Sequence, residues 1–276
     1  MKDEKVHEIY SDDNTDKLYN TSEGYNTNKV YNTNKVYNTN KVCVTNRKLV
    51  KAYAENTGEV GLRPEFAKAY AENSGEVDTD TEFVKTYAKN TSEADYTKRG
   101  GEMFQFSPFL EKISEVVKKK PAFIILREKD LPPGIYKKLA AKVLEICNGA
   151  GVPCVLHYFY KEAIELGVKK IHLPLHVLEQ MAESEKNYFD IIGVSIHSVE
   201  QAKRAEELGA SYITAGHVFV TDCKKGLAPR GLGFLKDVCE NVDIDVYAIG
   251  GISEKNMDDC ISAGARGVCM MSGYMK

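Results

Sequence analysis

The segment Gly193-Val194-Ser195-Ile196-His197-Ser198 ends an apolar run in one histidine with serines on both sides. A histidine in ordinary surroundings titrates near pH ~6.5, so it can take and return a proton at neutral pH. The bland reading of His197 is a water-facing residue at the start of a helix. Its neighbours favour the chemical one. Arg127 and Lys129 close another apolar run, Ala122 to Leu126, and supply two cations. Gly250-Gly251 follows a third run, and Met271-Ser272-Gly273 follows a fourth. Glycine admits close approach of backbone N–H groups to a ligand, which suits a phosphate. Lys224 and Lys225 lie in a glycine-flanked loop and would add charge to such an anion site.

Other ionisable residues are weaker candidates. His217 precedes the apolar pair Val218-Phe219 and reads as structural. His172 reads as core or lumen packing. His157, His172 and His176 match no common zinc spacing. Asp130 and Asp222 are single carboxylates, with no pair suited to Mg²⁺, so no metal site is expected.

These residues need elements to hold them. Helical periodicity is expected over Pro108 to Lys119, with Leu110, Ile113, Val116 and Val117 on one face. Ala122 to Leu126, Val152 to Leu156, Lys170 to Leu173, Ile191 to Ser195, Tyr212 to Ala215, Val246 to Ile249 and Gly267 to Met270 read as strands. Helices are expected between them, including Val177 to Ser184 and Val199 to Leu208. Seven near-continuous apolar strands alternating with helices imply a parallel sheet covered by helices. An eight-stranded TIM (β/α)8 barrel needs one more strand upstream. Val42-Cys43-Val44-Thr45 is the preferred candidate and Glu102 to Phe106 the alternative. Only six residues follow Met270, so the last helix is short or missing. In such a fold the strand C-termini, where the candidate residues gather, carry the chemistry.

The N-terminal third is different. Tyr-Asn-Thr-Asn-Lys-Val repeats three times from Tyr25 to Val42. A second repeat of period 17 starts at Lys51, Lys68 and Lys85. Residues 1–41 are expected to be a disordered low-complexity tail and 42–50 the first barrel strand. Residues 51–103 are expected to be a repeat insertion and 104–276 the barrel. Barrel loops tolerate long insertions at modest entropic cost.

Composition narrows the function. The formal net charge of −3 gives no sign of nucleic-acid binding. No apolar run approaches the roughly 18 residues of a membrane span. The N-terminus shows no signal-peptide pattern. The seven cysteines form no CxxC motif; Cys147, Cys154 and Cys269 read as small buried hydrophobes. A cytoplasmic location is expected.

Four motifs in order carry a family resemblance. Ile125 to Leu131, Gly193 to Ser198, Ala248 to Ile252 and Gly267 to Ser272 together resemble the thiamine phosphate synthase/TenI superfamily. The resemblance implies the barrel and a small thiazole phosphate as ligand, and leaves a homo-oligomer open. It assigns Thr221, Lys224, Gly250, Gly251, Met271 and Ser272 to the thiazole phosphate half of the site. It makes His197 the catalytic histidine, with Ser195, Arg127 and Lys129 as substrate contacts. The synthase half departs from the family pattern. Ile125 replaces its Gln, His157-Tyr158 its Asn-Asp, and Leu173-Pro174-Leu175-His176 its Gly-Gln and acidic residue. Gly216-His217-Val218-Phe219 and Thr221 to Leu227 resemble the TenI type. The expectation is a cofactor-free thiazole tautomerase. The alternatives are a thiamine phosphate synthase, which would use Mg²⁺, and a non-catalytic phosphate-binding regulatory protein.

Overall fold

The computed structural model describes residues 40–50, 106–224 and 226–276. The 17-residue repeats with the expected insertion, the hexapeptide repeats as far as Thr39, and Lys225 lie outside the described residues; Asn40 to Val42, the end of the third hexapeptide, are described, and Lys41, expected in the tail, belongs with Val42 to the first strand.

Eight parallel strands close into a barrel in chain order. They are β1 (Lys41–Val44), β2 (Ile124–Leu126), β3 (Cys154–His157), β4 (Lys170–Pro174), β5 (Ile191–Ile196), β6 (Tyr212–Gly216), β7 (Asp245–Ile249) and β8 (Gly267–Met270). The first-strand position is filled by β1, which pairs with both β2 and β8. The helices are α1 (Ser107–Lys118), α2 (Pro133–Gly149), α3 (Tyr160–Glu165), α4 (Leu175–Gln180), α5 (Glu183–Lys186), α6 (Val199–Glu207), α7 (Gly231–Glu240), α8 (Met257–Ser262) and α9 (Ser272–Met275).

Alternation along each strand sorts side chains into two cores. Leu126, Leu156, Ile171, Val194 and Ile213 face the helices and join the outer core. The α1 side of that core is Phe109, Ile113, Val116 and Val117, all buried, at spacings of four, three and one. The other set points into the lumen: Val42, Val44, Phe123, Ile125, Val155, Ile191, Tyr212, Tyr247 and Cys269. Phe123, Tyr212 and Tyr247 meet edge to face, with ring centroids 5.4 to 5.6 Å apart. This aromatic trio plugs the lumen, so its polar residues lie above a dry floor.

One expected helix is corrected. Val177 to Ser184 is not continuous: α4 ends at Gln180, and Met181 and Ala182 are extended before α5. Met181 is buried in the outer core there, and the Ala182 N–H donates to the Glu185 carboxylate at 3.0 Å. Anchoring Met181 and capping α5 together outweigh continued helical pairing. The final helix is short, as expected. The four residues of α9 still bury Tyr274 and Met275.

Candidate active site

The cations at the end of β2 are set by their neighbours. Glu128 and Asp130 turn away from the lumen and clamp Arg47, which follows β1. The Arg47 guanidinium donates to Glu128 at 2.9 Å and to both Asp130 oxygens at 2.7 Å. The Arg47 amide and the Thr45 hydroxyl also donate to Glu128, at 3.1 and 2.7 Å. Burial pushes the Glu128 carboxyl up, against the pull of Arg47 and Thr45. Burial also pushes Asp130 up, but its bonds to Arg47 and the nearby Lys48 outweigh this and hold it below the usual range. These carboxylates are therefore structural. Arg127 and Lys129 alternate with them, are half-buried, and exert their charge on His157 at the end of β3.

His197 lies between β5 and α6. Ser198 caps α6, its hydroxyl accepting from the Gln201 amide at 3.2 Å. The Gln201 side chain reaches back to accept from the His197 N–H at 2.7 Å. This double clasp fixes the histidine backbone. The ring is exposed, and its Nδ1 lies 2.8 Å from the Gly216 carbonyl at the end of β6. A carbonyl only accepts, so Nδ1 carries the hydrogen and Nε2 of the neutral ring keeps its lone pair.

Below His197 the upper lumen is polar. His172 Nδ1 is 3.0 Å from the Tyr212 hydroxyl, and its Nε2 is 2.8 Å from Ser195 Oγ. Thr214 Oγ1 donates to Ser195 Oγ at 3.3 Å. His157 sits beside His172 in register, its ring stacked at 5.7 Å and 17°. Burial pulls His172 down to about 3, with Arg127 adding to the shift. Burial, then Arg127, His172 and Lys129, hold His157 well below the ordinary histidine range. Both imidazoles are neutral near pH 7.

The glycine loop after β7 does something its sequence did not reveal. A Cβ on Gly250 would lie 2.3 Å from His217 Cβ, and one on Gly251 would lie 2.3 Å from the Val220 carbonyl. Their φ values, +101° and +68°, are also left-handed. The pair seats the loop after β6, whose Val218 and Phe219 amides donate to Ile249 and Gly250 carbonyls at 2.9 and 3.0 Å. Thr221 anchors the next turn: its carbonyl accepts from the Lys224 amide at 3.1 Å. On the far side, Ser272 is exposed at the start of α9, and Met271 Sδ lies 3.5 Å from Asn46 Nδ2.

Thus Ser195 and His197 lie on one edge with Gly216, and Gly250, Gly251 and Thr221 frame the adjoining loops. Met271 and Ser272 follow β8. Sequence reading passed over Tyr212 and Thr214. It named His157 and His172 as weak metal candidates, preferred core or lumen packing for His172, and set His157 against the family's Asn. Their signal is period-two placement on the lumen face, visible once the register of β3 to β6 is known.

The architecture defines the class: a (β/α)8 barrel whose reactive edge is the C-terminal end of its strands. The family model for thiamine monophosphate synthase matches residues 101–274, and the chain belongs to that family of enzymes. The "Putative thiamine-phosphate synthase 2" of Aquifex aeolicus is 33% identical over 168 residues, spanning 61% of this chain and 90% of that protein. The "Thiamine-phosphate synthase 2" of Streptococcus pneumoniae is 30% identical over 173 residues, spanning 61% and 80%. The solved thiamine phosphate pyrophosphorylase of Pyrococcus furiosus is 27% identical with a TM-score of 0.54, covering 62% of this chain and 83% of that one.

The Mg²⁺ of the synthase alternative does not fit the residues present. His157 ends β3 and Tyr158 follows it; Pro174 ends β4, and Leu175 and His176 open α4. Glu128 and Asp130 are both engaged by Arg47. Among the described residues no three His, Cys, Asp or Glu side chains converge as a ligand set. Nor is any helix there long and apolar enough to cross a membrane.

Proposed function

We propose that this chain is a thiazole tautomerase of thiamine biosynthesis, converting an exocyclic-alkene thiazole carboxylate phosphate to its aromatic isomer. The observation that carries the reading is His197, with Nδ1 tied to the Gly216 carbonyl and Nε2 presented as a base. In the proposed step Nε2 takes the proton from the ring carbon that bears the carboxylate. The electron pair shifts through the ring C=N and the exocyclic C=C. The exocyclic carbon then takes a proton back from the imidazolium. One proton leaves and one returns, so no redox partner is required. The gain of aromaticity drives the step, and one placed acid–base group suffices.

Arg127 and Lys129 hold the carboxylate, and Ser195 meets the ring beside His172. Backbone at Gly250, Gly251, Met271 and Ser272 receives the phosphate, with Thr221 and Lys224 on its flank.

A second reading, thiamine-phosphate synthase, is favoured by the names of the relatives. The residues at the ends of β3 and β4 speak against it, because they supply no carboxylate for the metal. The discriminating experiment follows the thiazole tautomer by NMR in metal-free buffer, for wild type and His197→Ala. Rapid conversion by wild type, lost in the variant, supports the tautomerase. Mg²⁺-dependent formation of thiamine phosphate without tautomerisation would establish the synthase. Binding of thiazole phosphate with neither activity would establish a non-catalytic phosphate-binding protein.

A further inference from the structure

His157 is 5% exposed, and its Nδ1 is a buried polar atom with no hydrogen-bond partner among the described residues. Leaving such a group unsatisfied forfeits its hydration without a replacement bond, so native proteins rarely keep one without a use. The neighbouring ring cannot relieve it. His172 has Nδ1 on Tyr212 and Nε2 on Ser195, which lock it in place. His157 stacks on that locked ring, at the same level of the lumen, one strand nearer to Arg127 and Lys129.

We infer that His157 is a specificity-determining contact: its Nδ1–H donates a hydrogen bond to the ring nitrogen of the thiazole. This rests on the tautomerase reading for the identity of the ligand. The division of labour follows from charge. Arg127 and Lys129 are cations and match the carboxylate. His157 is a neutral imidazole in dry surroundings and matches a neutral acceptor. A ring nitrogen is the uncharged acceptor that the substrate offers. Its lone pair lies in the ring plane and persists through the isomerisation, so the contact holds the ring throughout turnover. With the carboxylate on the cations and the phosphate at the β7 and β8 loops, this third point fixes which ring face meets His197. His157 moves no proton itself; it acts by positioning.

The test compares two ligands of the full-length protein by calorimetry: thiazole ethyl phosphate and its thiophene analogue, in which CH replaces the ring nitrogen. Wild type is expected to prefer the thiazole by about tenfold, the order of one neutral hydrogen bond. His157→Leu is expected to bind both ligands equally. His157→Asn, which can place an amide N–H near the lost Nδ1–H, is expected to restore most of the preference. Equal binding by wild type, or an unchanged preference in His157→Leu, overturns the inference. Tautomerase activity is measured on the same wild-type sample. Activity without ligand discrimination sinks the His157 contact alone. Discrimination without activity sinks the tautomerase and leaves the contact standing.

Discussion

The Gly216 backbone carbonyl holds the His197 ring, 2.8 Å from Nδ1. The two residues are 19 positions apart in the chain and meet because β5 and β6 are neighbours. The carbonyl selects the tautomer that bears its lone pair on Nε2. If that nitrogen is the base, His197→Ala should lower kcat for tautomerisation by about 10² to 10⁴, with little change in KM. The exposed side chain adds little to the core, so thermal unfolding should be almost unmoved. Steady-state kinetics with a melting curve check both. A kcat within threefold of wild type would remove His197 from the chemistry.

Gly250→Ala should be costly although the residue lies outside the barrel core. The new Cβ would sit 2.3 Å from His217 Cβ and 2.7 Å from its Cα, on a backbone at φ +101°. Strain of this kind costs of order 1–3 kcal/mol. The loop after β6 must shift, so thiazole phosphate affinity should fall along with the urea midpoint. Ser272→Ala provides the contrast: it keeps the backbone N–H assigned to the phosphate and removes only an exposed hydroxyl, so affinity and midpoint should both stay in place.

Arg47 joins β1 to the end of β2 through two carboxylates. Arg47→Met leaves Glu128 buried and unpaired, which should cost about 3–5 kcal/mol. Adding Glu128→Leu removes the stranded charge and should recover part of that loss. Urea denaturation of the single and double variants measures the difference. Equal stabilities would mean that the ion pair contributes through packing alone.

Gly193→Ala probes the lumen. Its Cβ would fall 2.1 Å from Tyr212 Cζ and 2.5 Å from His172 Nδ1. The Tyr212–His172 hydrogen bond cannot survive that intrusion. A destabilisation of about 1–3 kcal/mol is expected, as for overpacking generally. Loss of the tyrosine–histidine contact should show in the imidazole proton spectrum.

Stability should fall with acid in a window set by the buried histidines. His172 has its folded pKa depressed to about 3 and His157 is shifted the same way, whereas both are near ~6.5 when unfolded. Depressed groups stabilise above the unfolded value. That contribution erodes as pH falls below ~6.5 and is gone once pH passes the folded value. Each histidine contributes a slope of at most about 1.4 kcal/mol per pH unit. Urea unfolding from pH 7 to 4 should be less pH-dependent in His172→Asn. An identical slope would show that His172 ionises freely in the folded chain.

The barrel was legible in the sequence because its signals are local. Apolar runs such as Ile191 to Ile196 and amphipathic periods such as Phe109 to Val117 encode strands and helices within a few residues. Strict alternation of the two then leaves few topologies. His197 and the Gly250-Gly251 loop were legible for the same reason, as polar or glycine positions ending apolar runs. The break at Met181 was not, since helical spacing continues across it and only tertiary burial of that side chain interrupts the helix.

The sequence by itself determined the order of the elements, the family and the residues at the strand ends. Tertiary structure alone decided which ring nitrogen His197 presents, that Glu128 and Asp130 serve Arg47, and that Gly250 and Gly251 seat the loop after β6. It alone brought the buried nitrogen of His157 beside His172. The physical reason is range. Strand and helix propensities act over a handful of residues. Hydrogen bonding and steric contact act across the barrel, between residues whose closeness exists only once the register is closed.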